Sequence, residues 1–220
     1  MTHHVLDVHG LVKPLLRGRL HLGALVASVP AVVALIAAAT SVHARVAAVV
    51  YGVSLVSVFL VSSAYHRLAR SPRSQQVLRR ADHATIYLLI AGSYTPIALV
   101  AVGGAAGWAI LAAAWSVAGL GVLLKVVWFH RAGVVGGVLY VGMGWMAVLA
   151  APTLVGQVSM AELLLLVAGG LLYTVGVVVL ARRRPDPWPR VFGYHEVWHT
   201  FVILAAACHY AAIFLIVGDA

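Results

Sequence analysis

Seven apolar runs, each near the roughly 20 residues that an α-helix needs to cross a bilayer, leave this chain few folds to choose from. They fall at about 22–42, 46–66, 82–102, 107–128, 133–152, 160–181 and 195–217. Apolar side chains run all round the projected helices rather than along one stripe, which suits helices facing lipid and one another. Small residues recur (Gly119 and Gly121, Gly133, Gly136 and Gly137, Gly169 and Gly170) and would let helices approach closely. Composition agrees: 63% of residues are hydrophobic and 10% charged, where soluble domains carry about a quarter charged residues. The expected fold class is therefore all-α, an integral-membrane bundle of seven transmembrane helices over residues 22–217. A polar, basic amino-terminal segment, residues 1–21, precedes it. That segment lacks a short apolar stretch with a cleavage site, so no removable signal peptide is expected. The single cysteine, Cys208, excludes an internal disulfide framework and a Cys-rich metal site.

A formal net charge of +9 could indicate a nucleic-acid partner if the bases covered a folded surface. They lie instead between the apolar runs, so nucleic acid is not expected and membrane lipids are. With seven spans, the amino terminus and the loops after runs 2, 4 and 6 share one side of the membrane. That side gathers Lys13, Arg17 and Arg19, then Arg67, Arg70, Arg73, Arg79 and Arg80, then Lys125 and Arg131, and finally Arg182, Arg183, Arg184 and Arg190. Arg45 alone falls on the other side. The excess of Lys and Arg in cytoplasmic loops places the amino terminus in the cytoplasm and the carboxyl terminus outside, in a multi-pass protein of the cell membrane. The inward-facing charge predicts contact with anionic inner-leaflet lipids.

Polar residues in or at the ends of such runs are costly and point to function. The seventh run opens with Gly193-Tyr194-His195-Glu196-Val197-Trp198-His199-Thr200. On a helix His195 and His199 lie one turn apart on one face, the spacing at which two imidazoles bind one ion. His66 ends the second run, also at the cytoplasmic end, and Asp82 begins the third there. Three histidines and a carboxylate from three helices thus share one depth, and three protein ligands plus water is the usual composition of a catalytic zinc site. Ser62, one turn from His66 on the same face, is placed to hydrogen-bond a ligand or a water. Asp82 is placed to orient or deprotonate a water activated by the metal, so the implied chemistry is hydrolysis.

Each residue also has a plainer role. A helix-end histidine can be interfacial, Asp82 can cap a helix start, and Ser62 can bond its own preceding carbonyl. His209, about 15 Å deeper than His199 at 1.5 Å per residue, is too far to share an ion and either is satisfied locally or lines a cavity. His83 adjoins Asp82 but points about 100° away from it on a helix, toward a surface role. His3, His4, His9, His21, His43 and His130 fall at ends and loops, where solvated histidines are ordinary. Pro96, in Gly92-Ser93-Tyr94-Thr95-Pro96, is expected to bend the third helix, with Ser93 and Thr95 satisfying freed carbonyls.

The set Ser62-x-x-x-His66, Asp82 with the Gly92–Pro96 stretch, and His195-x-x-x-His199 resembles the progestin and adipoQ receptor family, and its bacterial haemolysin III branch most closely. The resemblance covers nearly the whole chain. It implies a seven-helix membrane protein with zinc near the cytoplasmic face, held by His66, His195 and His199, with Asp82 and Ser62 beside it. The wider superfamily includes alkaline ceramidases, which implies hydrolysis of a lipid amide or ester. The branch name implies a haemolytic activity, and a part in membrane homeostasis is implied too. No long amino-terminal domain like that of the receptor members is present, so hormone binding is not implied. Other readings remain open at this point. Glu196 could be the base of an intramembrane metalloprotease, and Asp82 could be a fourth ligand closing a structural zinc site in a non-enzymatic sensor, receptor or haemolysin. Paired histidines could also ligate haem iron.

Overall fold

In the computed structural model, residues 14–129 and 133–219 are described. Lys13, Arg131, His3, His4, His9 and His130, named above, lie outside the described residues. The described chain is helical almost throughout: α1 Arg19–Ala38, α2 Val42–Leu68, α3 Pro72–Pro96, α4 Gly104–Val127, α5 Gly133–Leu149, α6 Ala151–Leu154, α7 Met160–Arg182 and α8 Tyr194–Gly218. Six of these, α1 to α4, α7 and α8, are long and apolar enough to cross a membrane, and α5 is a shorter apolar helix. The fifth run, expected to be one span over 133–152, breaks after Leu149, and a separate turn of helix carries Pro152 at its start.

Caps explain several boundaries. Ser41 accepts from the Ala44 N–H at 3.1 Å, and Ser159 with Glu162 forms a reciprocal box at the start of α7, which satisfies amides that the helix itself leaves unpaired. Ser71 and Ser74 do the same for α3, with Pro72 in its first turn. This cap corrects the expectation for Asp82. The third helix starts ten residues before the apolar run does, so Asp82 lies well inside α3 and caps nothing.

Pro96 ends the regular part of α3, and the chain continues as a π-helical turn, Ile97–Val102, closed by Gly103 with φ 63°. A proline there cannot donate to the carbonyl four residues back, so the ladder must loosen. Ser93 and Thr95 bond the carbonyls of Leu89 (2.8 Å) and Ala91 (2.9 Å), not that of Gly92, which the proline frees.

The core falls in three parts. Leu35, Tyr51, Leu55, Phe59, Val202 and Ile213 join α1, α2 and α8. Tyr87, Tyr94, Ala114, Ala118 and Met143 join α3, α4 and α5. Ile97, Leu154 and Ile216 close the far end. Only some of the glycines serve close packing: Gly121 faces the Tyr87 ring and Gly169 faces His209, whereas Gly119, Gly137 and Gly170 have open space where a Cβ would go. Between these groups of helices lies a cavity of about 830 Å³.

Candidate metal centre

The chain antiparallels itself so that the end of α2 and the start of α8 meet. Nothing local would bring His66 to His195; α1 makes the join. Before α1, the Leu15 and Leu16 amides donate to the carbonyls of Arg190 (3.0 Å) and Val191 (3.1 Å), tying this strap to the loop that leads into α8. Arg17 then forms an ion pair with Glu196. Gly18 turns the chain with φ 75° directly against His66.

At this junction the donor nitrogens of His66, His195 and His199 all lie within 4.8 Å of one another. The Nε2 atoms of His66 and His195 are 3.2 Å apart. Two nitrogens on one zinc ion at near-tetrahedral angles, each about 2.0–2.1 Å from the metal, would be about 3.3 Å apart. The ring centroids are separated by 4.8 Å (His66–His195), 5.1 Å (His66–His199) and 4.5 Å (His195–His199). His66 and His199 are buried and His195 half-buried. Imidazoles converging in an apolar setting with this spacing fit a divalent ion of the zinc type, which takes nitrogen ligands readily.

Asp82 is not part of that group of donors. The Ser62 side chain lies beside its carboxylate, and Asp82 lines the same cavity as His66 and His195. Ser62 is itself buried, one turn from His66 on α2. The structure therefore joins Asp82 to the cluster through Ser62 and the shared cavity.

Glu196 is fully buried. One carboxylate oxygen takes the Arg17 ion pair, and the other accepts the Gly193 N–H at 2.9 Å. A carboxylate held at both oxygens, one of them capping its own helix, has a structural task. Its position beside two histidines in sequence is not a position beside them in function.

His21 is the correction among the histidines. Expected as a solvated helix-end residue, it is 3% exposed and stacks face to face on His199, with ring centroids 3.8 Å apart and planes 12° from parallel. Phe59 meets its other surroundings edge-on at 5.3 Å. Neither ring nitrogen has a well-formed hydrogen bond, so its contact with the cluster is through the ring face. His43 is exposed, as expected. His209 both hydrogen-bonds the Leu166 carbonyl at 3.2 Å and lines the cavity. His83 bonds the Arg79 carbonyl at 2.9 Å and is partly exposed, although it too reaches the cavity wall.

A bundle of apolar helices long enough to span, with three convergent imidazoles of which His66 and His195 line a largely apolar cavity, defines a multi-pass membrane protein with a centre that can hold a metal ion. Residues 9–210 match the haemolysin-III-related family. The chain belongs to that family. It is 34% identical to Hemolysin-3 of Bacillus cereus over 82% of this chain and 80% of that protein. The Hemolysin-3 homolog of Bacillus subtilis is 32% identical over 84% of this chain and 85% of the relative. The human monocyte to macrophage differentiation factor is 29% identical over 77% and 69% respectively.

Proposed function

We propose that this protein is a seven-span zinc-dependent hydrolase of a lipid amide or ester, with its metal site near the cytoplasmic face. The observation that carries this is the meeting of three imidazole donors within 4.8 Å at a cavity that also holds Asp82. Counting α5 as a short span would give seven crossings, and the distribution of Lys and Arg then supports a cytoplasmic position for the end bearing His66, His195 and Tyr194.

His66, His195 and His199 would hold the zinc. With three protein ligands a position is left for water, whose pKa such an ion lowers towards about 7. The chain supplies the remaining functions. Asp82 accepts and returns the proton of the attacking water, and the Ser62 hydroxyl fixes the carboxylate for that exchange. The apolar wall formed by Leu89, Ile90, Leu163 and Leu166 accepts an acyl chain and keeps bulk water from it.

Two observations favour this reading over its competitors. A closed structural site needs four protein ligands, and among the described residues the donor group holds three histidines. A protease of the H-E-x-x-H kind needs Glu196 free as a base, and both of its oxygens are engaged elsewhere. Lysis, the property in the name of the bacterial relatives, would on this reading follow from altered membrane lipid composition.

The test is metal content together with turnover. Purified wild type should carry about one zinc per chain, as expected for a site of this kind, and His199→Ala should lose it. Asp82→Asn should keep the zinc yet lose about 10²–10⁴-fold in hydrolysis of a short-chain lipid amide or ester, the usual worth of a general base. Zinc retained by His199→Ala, or unchanged turnover in Asp82→Asn, would overturn the assignment.

A further inference from the structure

The loop between α7 and α8 holds the metal centre with its backbone and shows an unbalanced set of side chains to its surroundings. The Arg190 and Val191 carbonyls take the Leu15 and Leu16 amides of the strap. Asp186 Oδ1 accepts the Tyr194 N–H at 2.8 Å, at the residue before His195. Asp186 is the loop's one carboxylate, so that contact occupies it. Arg182, Arg183, Arg184 and Arg190 are all exposed, and among the described residues none of them is in an ion pair. Between them Trp188 is 67% exposed, and Val191 beside Arg190 is 41% exposed.

The loop is also held in shape. The Trp188 N–H donates to the Phe192 carbonyl at 3.1 Å, and the Val191 and Phe192 N–H groups donate to the Trp188 carbonyl at 2.8 and 2.7 Å. Pro185, Pro187 and Pro189 fix φ at three further positions. A turn tied this way keeps Trp188 and Arg190 in place, so little entropy is lost when a surface takes them. Both α7 and α8 are long and apolar enough to cross a membrane, which puts a short loop joining them at the edge of the hydrocarbon layer. Tryptophan favours that level, and clustered arginines there are drawn to anionic headgroups. An acidic protein would match the arginines but would leave the exposed indole and the Val191 side chain unexplained.

We propose that this loop docks on the anionic headgroups of the protein's own membrane, with Trp188 at the interface and the four arginines on lipid phosphates, and that docking tightens metal binding. The link is short, because the same loop carries the strap that pairs with Glu196 and lies against His66. The docking stands without the metal; the tightening rests on the reading of His66, His195 and His199 as a zinc site.

The experiment places the full chain in nanodiscs of dioleoyl phosphatidylcholine, alone or mixed with phosphatidylglycerol, and reads two quantities. The first is zinc affinity by chelator competition. Wild type should hold zinc at least about fivefold more tightly with phosphatidylglycerol, the low end of coupling between two sites, and high salt should erase the difference. Arg182→Gln, Arg183→Gln, Arg184→Gln and Arg190→Gln combined should erase it too, while the four corresponding lysine substitutions should keep it. The second quantity is the exposure of Trp188, taken as the difference in acrylamide quenching between wild type and Trp188→Phe; phosphatidylglycerol should shield it. Equal zinc affinity in the two lipids, or a glutamine variant that still responds, overturns the tightening. Trp188 quenched as fully with phosphatidylglycerol as without it overturns the docking. Soluble polyglutamate that gives the same gain in phosphatidylcholine alone overturns the membrane as partner in favour of an acidic protein. A chain that holds no zinc in either lipid yet shields Trp188 refutes the metal reading and supports the docking.

Discussion

The ion pair between Arg17 and Glu196 is unequal in its surroundings, and that inequality predicts which half is worse to lose. The Glu196 side chain is 0% exposed and that of Arg17 22% exposed. Arg17→Met keeps most of the stem but leaves a carboxylate sealed from water with only the Gly193 N–H as partner. Breaking a buried pair in this way costs about 3–5 kcal/mol. Glu196→Gln leaves the cation instead, and a guanidinium that already touches solvent can rehydrate. The amide oxygen still accepts the Gly193 N–H, so the loss should be near that of one hydrogen bond to a charged group, about 1.5–3 kcal/mol. The double variant removes both charges and should be more stable than Arg17→Met alone, because nothing uncompensated stays buried. Equilibrium unfolding in mixed micelles, followed by tryptophan fluorescence, gives all three values. If Arg17→Met proves no worse than Glu196→Gln, or the double variant falls as low as Arg17→Met, Glu196 is not a sealed anion held by Arg17.

The neighbouring contacts predict smaller, site-directed effects. Gly18→Ala places a Cβ 2.7 Å from His66 Cβ at a φ of 75°; it should cost about 1–2 kcal/mol for the left-handed backbone and weaken zinc binding in a competition titration, and unchanged affinity would show that His66 is set by α2 alone. His21→Ala should weaken the metal about 10–100-fold, the range for residues that orient a ligand, whereas His21→Phe, which keeps a flat ring on His199, should retain affinity; equal losses in both would reject the stacking role. Stripping zinc with a chelator should lower the unfolding free energy, and restoring it at about 100 times Kd should return about 2.7 kcal/mol; no change on removal would show that these histidines hold no ion in the folded protein.

Apolar length was readable because lipid-facing helices must be apolar all round; six of the runs fall on helices long and apolar enough to cross a membrane, and the fifth falls on a shorter one. The start of α3 escaped it for the same reason. Residues 72–81 are polar, so hydropathy is silent there, while the Ser71–Pro72–Ser74 cap, a local signal, marks the true start. The meeting of His66, His195 and His199 was legible because counting the runs puts the end of the second and the start of the seventh at the same end of the bundle. That same placement applied to α1. Its first residues lie on the same side, which puts His21 at the depth of the other three. Treating helix ends as solvated hid this, because nothing near His21 in the sequence signals that its ring is buried between Phe59 and His199. Glu196 misled in the opposite direction. A motif fixes spacing along a helix but not where a carboxylate turns, and here a cap and an arginine 179 residues away in sequence decided it.

The strap also explains how two helices distant in sequence hold imidazole nitrogens at a fixed separation. A metal site loses affinity when ligands drift by fractions of an ångström, so its supports must come from more than the ligand-bearing helices. Between Leu15 and His21 the chain bonds the loop before α8, pairs with Glu196 on α8, presses Gly18 on His66 of α2, and lays an imidazole on His199. Farther along, the Tyr210 hydroxyl of α8 donates to the Ala31 carbonyl of α1 at 2.7 Å, fixing the two helices at a second level. The register of α8 against α2 is thus set through α1. Substitutions in a segment that contributes no ligand should therefore move the metal affinity as much as substitutions one turn from the ligands themselves.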